Sequence, residues 1–278
     1  MNLLWLGDPK SFDTGLVGGK AANLSRLARI YPRVPDGFCI PVTLMDEAHP
    51  LDLRDEITAA ISDLTACHSL PELVVAVRSS AVDEDGAGAS FAGQHETYLN
   101  IVGVDSIIQA VTRCWESARS ERALEYRRKQ GLSVERLQLA VLVQQLVASD
   151  VSAVVFSANP ITGSRDEIMI NASWGLGESI VGGTVTPDTF IVRKSDLVII
   201  SRTIADKQSM TVSVPDGTRE VDVPRFLRAQ ASLNDEQVTE MAKLALTLES
   251  TMEYPVDVEC AYAGGELYLL QCRPITTL

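Results

Sequence analysis

The sequence predicts a chain of mixed α and β structure (α+β) that folds as two lobes. Its 278 residues are enough to bury two separate hydrophobic cores. Short β-branched runs with the length of strands alternate along the chain with longer segments whose apolar residues recur at helical spacing. We place the lobes at residues 1–142 and 143–278.

The charge of the chain restricts what it can bind. The formal net charge is −13 and the pI is about 4.7, which argues against a nucleic acid or an anionic membrane surface as partner. No apolar run approaches the length that spans a bilayer. Any anionic ligand must therefore be held by cationic side chains placed locally around it.

Cysteine usage and the first residues indicate a cytoplasmic protein. The five cysteines are widely spaced without a C-x-x-C pair, so neither a disulfide framework nor a zinc site is indicated. Residues 1–8 lack the basic and apolar regions of a signal peptide.

The N-terminal segment predicts a short strand over Leu3–Leu6 and an amphipathic helix that Lys20 opens. The sequence Gly18-Gly19-Lys20 before a helix favours the binding of a phosphate group, because a helix N-terminus and a lysine both attract anions. It is not a Walker A loop, since that motif needs Gly where Thr14 stands and Ser or Thr where Ala21 stands. The alternative is a solvated lysine near the start of a helix.

Two further helices are expected in the first lobe, after a short strand over Phe38–Ile40. Residues 41–72 carry an apolar stripe at helical spacing, made of Leu53, Ile57, Ala60, Ile61 and Leu64. Asp105 is the expected N-cap of a later, longer helix.

The stretch from Val74 to Asn100 has the pattern of a phosphate-covering hairpin. Val74–Val77 is a buried strand that delivers Arg78 to its C-terminal end, and Gln94–Asn100 alternates as a return strand. The glycines between them (Gly86, Gly88 and Gly93) allow close approach of the backbone to a ligand. An ordinary hairpin with a flexible tip is the alternative.

The second lobe is expected to begin near a hinge. The apolar run Leu137–Val147 is followed at once by a strand over Val151–Ser157, and a flat aromatic ring could lie against backbone amides there. Further along, the strand Ile168–Ala172 leads into the glycine-rich segment Trp174–Glu178, which serves either ligand approach or tight packing.

The C-terminal residues predict a hairpin with a polar face. Asp257 and Glu259 alternate with valines, so both carboxylates lie on one face of a strand, and the strand Glu266–Arg273 returns after Gly264-Gly265. A three-residue loop would place Glu259 opposite Gln271, whereas a two-residue turn would put them on opposite faces. In the register of the three-residue loop, the side-chain oxygens on this face suit a magnesium ion. The alternative is a polar face that lies in water.

Together these segments resemble the nucleotide-binding part of the phosphoenolpyruvate synthase, pyruvate phosphate dikinase and rifampin phosphotransferase family. The matching segments occur in the family's order and are Gly18–Leu24, Val77–Asn100, Val143–Val147, Gly175–Glu178 and Val256–Ile275. The resemblance implies an ATP-grasp fold, in which two α+β lobes clasp ATP in the cleft between them.

The resemblance also assigns residues in the first lobe and at the hinge. It implies that Lys20 and Arg78 are catalytic cations that bind the phosphates. It makes Ser90–Thr97 the flap over the phosphates, with Gly93 and Thr97 as nucleotide-binding residues. It places Gln144 and Leu146 on the adenine hinge, the latter through its backbone.

In the second lobe the resemblance assigns the nucleoside and metal positions. Glu178 falls near the nucleoside and Asp257 binds the nucleotide. Glu259 and Gln271 match magnesium ligands, and Arg273 is the adjoining catalytic arginine.

The resemblance implies an ATP-dependent phosphotransferase that passes the β,γ-phosphates to a phosphohistidine carrier and releases AMP. None of the three histidines here has the glycine-rich setting of a carrier, so the carrier is expected on another polypeptide, with a small molecule as final acceptor. Two alternatives stay open. The chain could phosphorylate a small molecule directly as a kinase or ligase, leaving ADP, or it could be a non-catalytic nucleotide sensor.

Overall fold

The protein is described from a computed structural model. The structure describes residues 3–82, 96–129, 131, 133–134, 137–215, 217–276 and 278, and for residues 122 and 126 it describes the backbone alone. The chain divides into two compact units, Met1–Leu146 with Pro215–Gly217, and Val147–Val214 with Thr218–Leu278.

The first unit consists of one sheet and the helices that cover it. Its elements in chain order are β1 (Leu4–Trp5), α1 (Thr14–Leu27), β2 (Gly37–Ile40), α2 (Leu44–Glu47), α3 (Arg54–Cys67), β3 (Val74–Ala81), β4 (Thr97–Val102), α4 (Val104–Ala118), α5 (Glu121–Lys129) and β5 (Leu139–Gln145). The strand order in the sheet is β1-β2-β5-β3-β4, and all four neighbouring pairs are antiparallel.

The two faces of this sheet carry different residues because side chains alternate along each strand. One face points Val75 and Val77 toward α3 and α4, where they join a single apolar cluster with Ile57 and Ile107. Helix α1 covers the other face, since the amide of Ala21 in α1 donates to the hydroxyl of Ser80 in β3. Arg78 shares the face of Ser80 and therefore lies on the α1 side.

The second unit contains a larger sheet and one long helix. Its elements are β6 (Val151–Phe156), β7 (Glu167–Trp174), α6 (Glu178–Val181), β8 (Asp188–Arg193), β9 (Ile199–Thr203), β10 (Ser209–Val214), β11 (Gly217–Asp222), α7 (Arg225–Arg228), α8 (Asp235–Met252), β12 (Val256–Ala263) and β13 (Glu266–Pro274). Six strands form an antiparallel sheet in the order β13-β12-β6-β7-β8-β9, and β10 pairs with β11.

Helix α8 packs on one face of the six-stranded sheet. The alternate residues Val256, Val258 and Cys260 are buried with the apolar stripe of the helix. Asp257 and Glu259 alternate with them and so belong to the opposite face, which α8 leaves uncovered. The predicted polar face of the C-terminal hairpin is therefore confirmed.

Several predicted elements are confirmed, two details need correction, and the turn of the C-terminal hairpin, for which the sequence leaves two lengths open, is settled. The predicted stripe of residues 41–72 lies on and just before α3, and four of its five members are buried in the core. Arg78 is inside its strand rather than at the end, because β3 continues to Ala81 by pairing with β5. The N-cap of α4 is Gly103, whereas Asp105 lies in the first turn. The C-terminal hairpin has a two-residue turn.

No helix in the described part of the chain is long and apolar enough to cross a membrane. The thiols of all five cysteines are free.

Candidate functional site

Two buried cations belong to the first unit. Lys20 is 5% exposed and Arg78 is 9% exposed. The ammonium Nζ of Lys20 donates to the carbonyl oxygen of Ser79 at 2.9 Å, and Ser79 follows Arg78 directly in β3. The fold thus brings two cations, separated by 58 residues in sequence, to the same face of the sheet.

A break in α1 places Lys20 there. Gly18 has φ 75° and ψ 169°, which interrupts the helix so that a second helical segment begins immediately before Lys20. The amide of Ala21 in this first turn donates to the Ser80 hydroxyl at 3.1 Å, and so satisfies one of the amides that a helix start leaves without an internal partner. Ser80 was not among the predicted site residues, although it belongs to the Arg-Ser-Ser sequence that carried part of the resemblance.

Gly18 cannot be another residue without rearrangement. A Cβ atom there would lie 2.1 Å from the Ser80 carbonyl oxygen, which is far inside van der Waals contact. Its backbone conformation is also one that only glycine adopts readily. The glycine therefore lets α1 approach β3 closely enough for Lys20 to reach Ser79.

The flap is described only where it joins the sheet. Thr97 is the first residue of β4 and lies directly opposite Arg78, so the two side chains share a face. Residues 90–95 of the predicted flap, which include Gly93 and His95, fall outside the described residues.

The predicted hinge residues make contacts within the first unit. The side-chain amide of Gln144 is buried and donates to the Pro35 carbonyl at 3.0 Å. The backbone amide of Leu146 donates to the Val74 carbonyl at 2.9 Å. A contact between Leu146 and an adenine ring would therefore use the Leu146 carbonyl, and the adenine role of both residues stays a prediction.

In the second unit, the segment before Glu178 is held by strand β10. Leu176 donates its amide to the Thr211 carbonyl at 2.9 Å, and the Ser152 hydroxyl donates to the Gly175 carbonyl at 2.8 Å. Gly175 has φ 79°, and a Cβ atom there would lie 2.3 Å from the Thr211 oxygen. Glu178, the first residue of α6, thus follows a closely fixed backbone.

The polar residues of the C-terminal hairpin are aligned across its two strands. Glu259 lies directly opposite Gln271, and Asp257 lies directly opposite Arg273. The turn is the two-residue one, in which Gly264 and Gly265 both have positive φ. The register shifts between Glu259 and Cys260, because the partner of Cys260 is Leu269, so that Leu270 is the extra residue of a β-bulge. The bulge produces the register that a three-residue loop was expected to give.

One carboxylate oxygen of Asp257 is buried without a partner among the described residues. Arg273 donates from both Nε and a terminal nitrogen to Oδ2 of Asp257, each at 2.8 Å. Oδ1 is buried and accepts no hydrogen bond, and the residue is 7% exposed. Burial raises the pKa of Asp257, and the nearby Arg273 opposes this shift only in part. A cation at Oδ1 would satisfy the oxygen and favour the ionised form.

The oxygens on this face suit a magnesium ion whose remaining ligands come from the phosphates of a nucleotide. The described residues hold no group of three His, Cys, Asp or Glu side chains that could bind a metal by themselves. Magnesium is usually held by one or two carboxylates together with substrate phosphates. Asp257, Glu259 and Gln271 supply hard oxygen donors on one face, as that mode of binding requires.

Comparisons with known proteins identify the family of this chain. The family model described as "Pyruvate phosphate dikinase, AMP/ATP-binding domain" matches residues 40–278. Phosphoenolpyruvate synthase of Pyrococcus furiosus is 45% identical over 238 residues, which cover 82% of this chain and 29% of that protein. Rifampicin phosphotransferase of Streptomyces sviceus is 35% identical over 305 residues, covering 95% of this chain and 34% of that protein.

That match and a third one both include the N-terminal region with Lys20, which precedes the span of the family model. The probable phosphoenolpyruvate synthase of Methanocaldococcus jannaschii is 37% identical over 317 residues, covering 99% of this chain and 27% of that protein. The chain thus spans about a third or less of the length of these relatives. The family predicted from sequence is confirmed: the chain belongs to the pyruvate phosphate dikinase AMP/ATP-binding domain family and has an ATP-grasp-type fold.

Proposed function

We propose that this chain binds magnesium-ATP and acts as the ATP-dependent part of a dikinase-type phosphotransferase. The observation that carries the proposal is the buried Oδ1 of Asp257, which has no partner among the described residues. It lies beside Arg273 on a hairpin whose register also aligns Glu259 with Gln271. The buried cations Lys20 and Arg78 support the proposal, because an acidic chain needs locally placed cations to hold the phosphates.

Six of the predicted residues have a chemical role in this proposal. Lys20 and Arg78 hold the phosphate oxygens, and the planar guanidinium of Arg78 can bind two of them at once. Glu259, Gln271 and Asp257 hold the magnesium ion, which when bound neutralises charge on the phosphates. Arg273 stabilises the negative charge that spreads over the transferred phosphoryl oxygens.

The proposed reaction transfers the β,γ-diphosphate to a histidine of a carrier. The histidine nitrogen forms a bond to the β-phosphorus, while the bond from that phosphorus to the oxygen bridging to the α-phosphate breaks. AMP leaves with the electron pair. One phosphate is then lost to water or inorganic phosphate, and the other passes to a small-molecule acceptor.

The two histidines that the structure describes, His49 and His68, support a carrier other than themselves. His49 accepts the Leu51 amide and closes a capping box at a short helical turn. His68 lies with Nε2 3.0 Å from a carboxylate oxygen of Asp36. Both serve local structure.

The test uses ATP labelled separately at the β and γ positions, with magnesium and extract fractions of the source cells. AMP, formed together with β-label on a histidine of another polypeptide, is the expected result. ADP with γ-label on a small molecule would contradict the carrier and favour a kinase or ligase. Binding without turnover in any fraction would favour a nucleotide sensor.

A further inference from the structure

A fully buried ion pair lies in the second unit, away from the polar face of the hairpin. Asp188, the first residue of β8, and Lys207 are both 0% exposed. The ammonium Nζ of Lys207 lies 2.6 Å from Oδ1 of Asp188. None of the roles proposed above uses either residue.

Both oxygens of Asp188 are fully engaged. Oδ1 accepts from Lys207 and from the Ala205 amide at 2.9 Å. Oδ2 accepts from the amide of Ser232 at 2.7 Å and from its hydroxyl at 2.8 Å. One carboxylate thus joins β8 to the segment before β10 and to the segment before α8.

These contacts connect, through two routes, to the backbone segment that precedes Glu178. Asp188 pairs with Ala172 in β7, and β7 runs directly into Gly175 and Leu176. Leu176 is bonded to Thr211, which lies four residues after Lys207. The ion pair is therefore the link that joins the start of β8 to the strand that fixes this loop.

Stability alone gives no reason for a charged pair at this place. Desolvation of two ions in an interior is costly, and apolar side chains of similar volume are often equally stabilising or more so. A carboxylate that accepts four hydrogen bonds, in contrast, fixes the three segments in one geometry.

We propose that Asp188 and Lys207 are positioning residues that set the place of Glu178 relative to the nucleoside of ATP. This inference rests on the proposed function. The pair acts at a distance, through Thr211 and the loop, and touches no substrate.

A double-mutant cycle on ATP affinity tests the inference. The charge pair is replaced as a unit by Asp188→Leu with Lys207→Met, because a single substitution would leave one buried charge unpaired. The matched control replaces the exposed pair with Arg193→Met and Asp196→Asn. Affinity for magnesium-ATP is measured for the unchanged chain, for Glu178→Gln, for the pair variant and for their combination.

We expect Glu178→Gln and the pair variant each to weaken ATP binding about tenfold and the combination to weaken it no further, as for residues coupled in one network. The control pair should bind ATP normally. Hydrogen exchange at the Leu176 amide should become faster in the pair variant only.

Two results would overturn the positioning role alone: normal ATP affinity of the pair variant, or losses that multiply in the combination. No ATP binding by the unchanged chain would overturn the proposed function as well.

If the pair variant does not fold, Ser232→Ala takes its place, since it removes one bond to Asp188. Ser232→Ala should then weaken ATP binding, and adding Glu178→Gln should weaken it no further. If the two substitutions weaken ATP binding independently, the inference is contradicted.

Discussion

Glu259 lies directly opposite Gln271 because a single residue, Leu270, bulges out of the returning strand. Without that bulge, the two-glycine turn would place Glu259 opposite Leu270 and Gln271 on the face that packs under α8. The bulge thus keeps an apolar residue pattern on one face of the hairpin and three oxygen-bearing side chains on the other. A local irregularity of one strand assembles the candidate metal site.

Replacing Gly18 should disrupt the contact between α1 and β3. Gly18→Ala adds a Cβ atom 2.1 Å from the Ser80 carbonyl, in addition to backbone strain. Gly103 provides a control, because its φ of 80° and ψ of 150° are similar but no atom lies within 4 Å of its added Cβ. Gly103→Ala should cost about 1–3 kcal/mol and Gly18→Ala should cost more, with ATP binding weakened only in the latter. Urea unfolding and ATP titration measure both effects, and equal costs would contradict the close approach.

Lys20 should be required for nucleotide binding but not for folding. Lys20→Met keeps the length of the side chain and removes the charge, so phosphate binding should weaken by at least about tenfold, or roughly 1.4 kcal/mol. The exposed Lys10 in the same unit is the matched control, and Lys10→Met should bind ATP normally. Unchanged ATP affinity of Lys20→Met would remove this residue from the site.

Ionised Asp257 should lower the stability of the nucleotide-free protein and strengthen the binding of magnesium-ATP. Burial raises its pKa above the ordinary 3.8, so the folded chain binds the proton of the Asp257 carboxyl more tightly than the unfolded chain does. The contribution of this group therefore falls as pH rises above 3.8, and at neutral pH the buried carboxylate lowers stability. Asp257→Asn cannot ionise, so the nucleotide-free protein should be equally or slightly more stable at pH 7.

The same variant should bind ATP about tenfold more weakly with magnesium present. Urea unfolding at pH 7 and titration with magnesium-ATP give the two readouts. A large loss of stability in Asp257→Asn would mean that the bond to Arg273 outweighs the cost of burial.

Local patterns in the sequence predicted much of this fold. The helical stripe around Ile57 and the alternation of Asp257 and Glu259 with valines depend only on neighbouring residues. Both were therefore readable before any tertiary contact was known. The same holds for Gly264-Gly265, which occupies the turn where glycines suit two positive φ angles.

Features that depend on distant contacts could not be read in this way. The bulge at Leu270 is visible only in the pairing of two strands, and the need for Gly18 arises from Ser80, 62 residues away. The Asp188–Lys207 pair gives no local signal, because each residue alone looks like an exposed charge. Helix α8 was missed although Asn234 and Gln237 form a capping box that the sequence displays.

Titration of the chain with ATP, with and without magnesium, tests the central claim most directly. The unchanged chain should bind ATP tightly only when magnesium is present. Glu259→Gln should lose this dependence, while Glu266→Gln, an exposed position on the same hairpin, should retain it. ATP binding that is equally strong without magnesium, or that Glu259→Gln leaves unchanged, would contradict the metal site and the proposed function built on it.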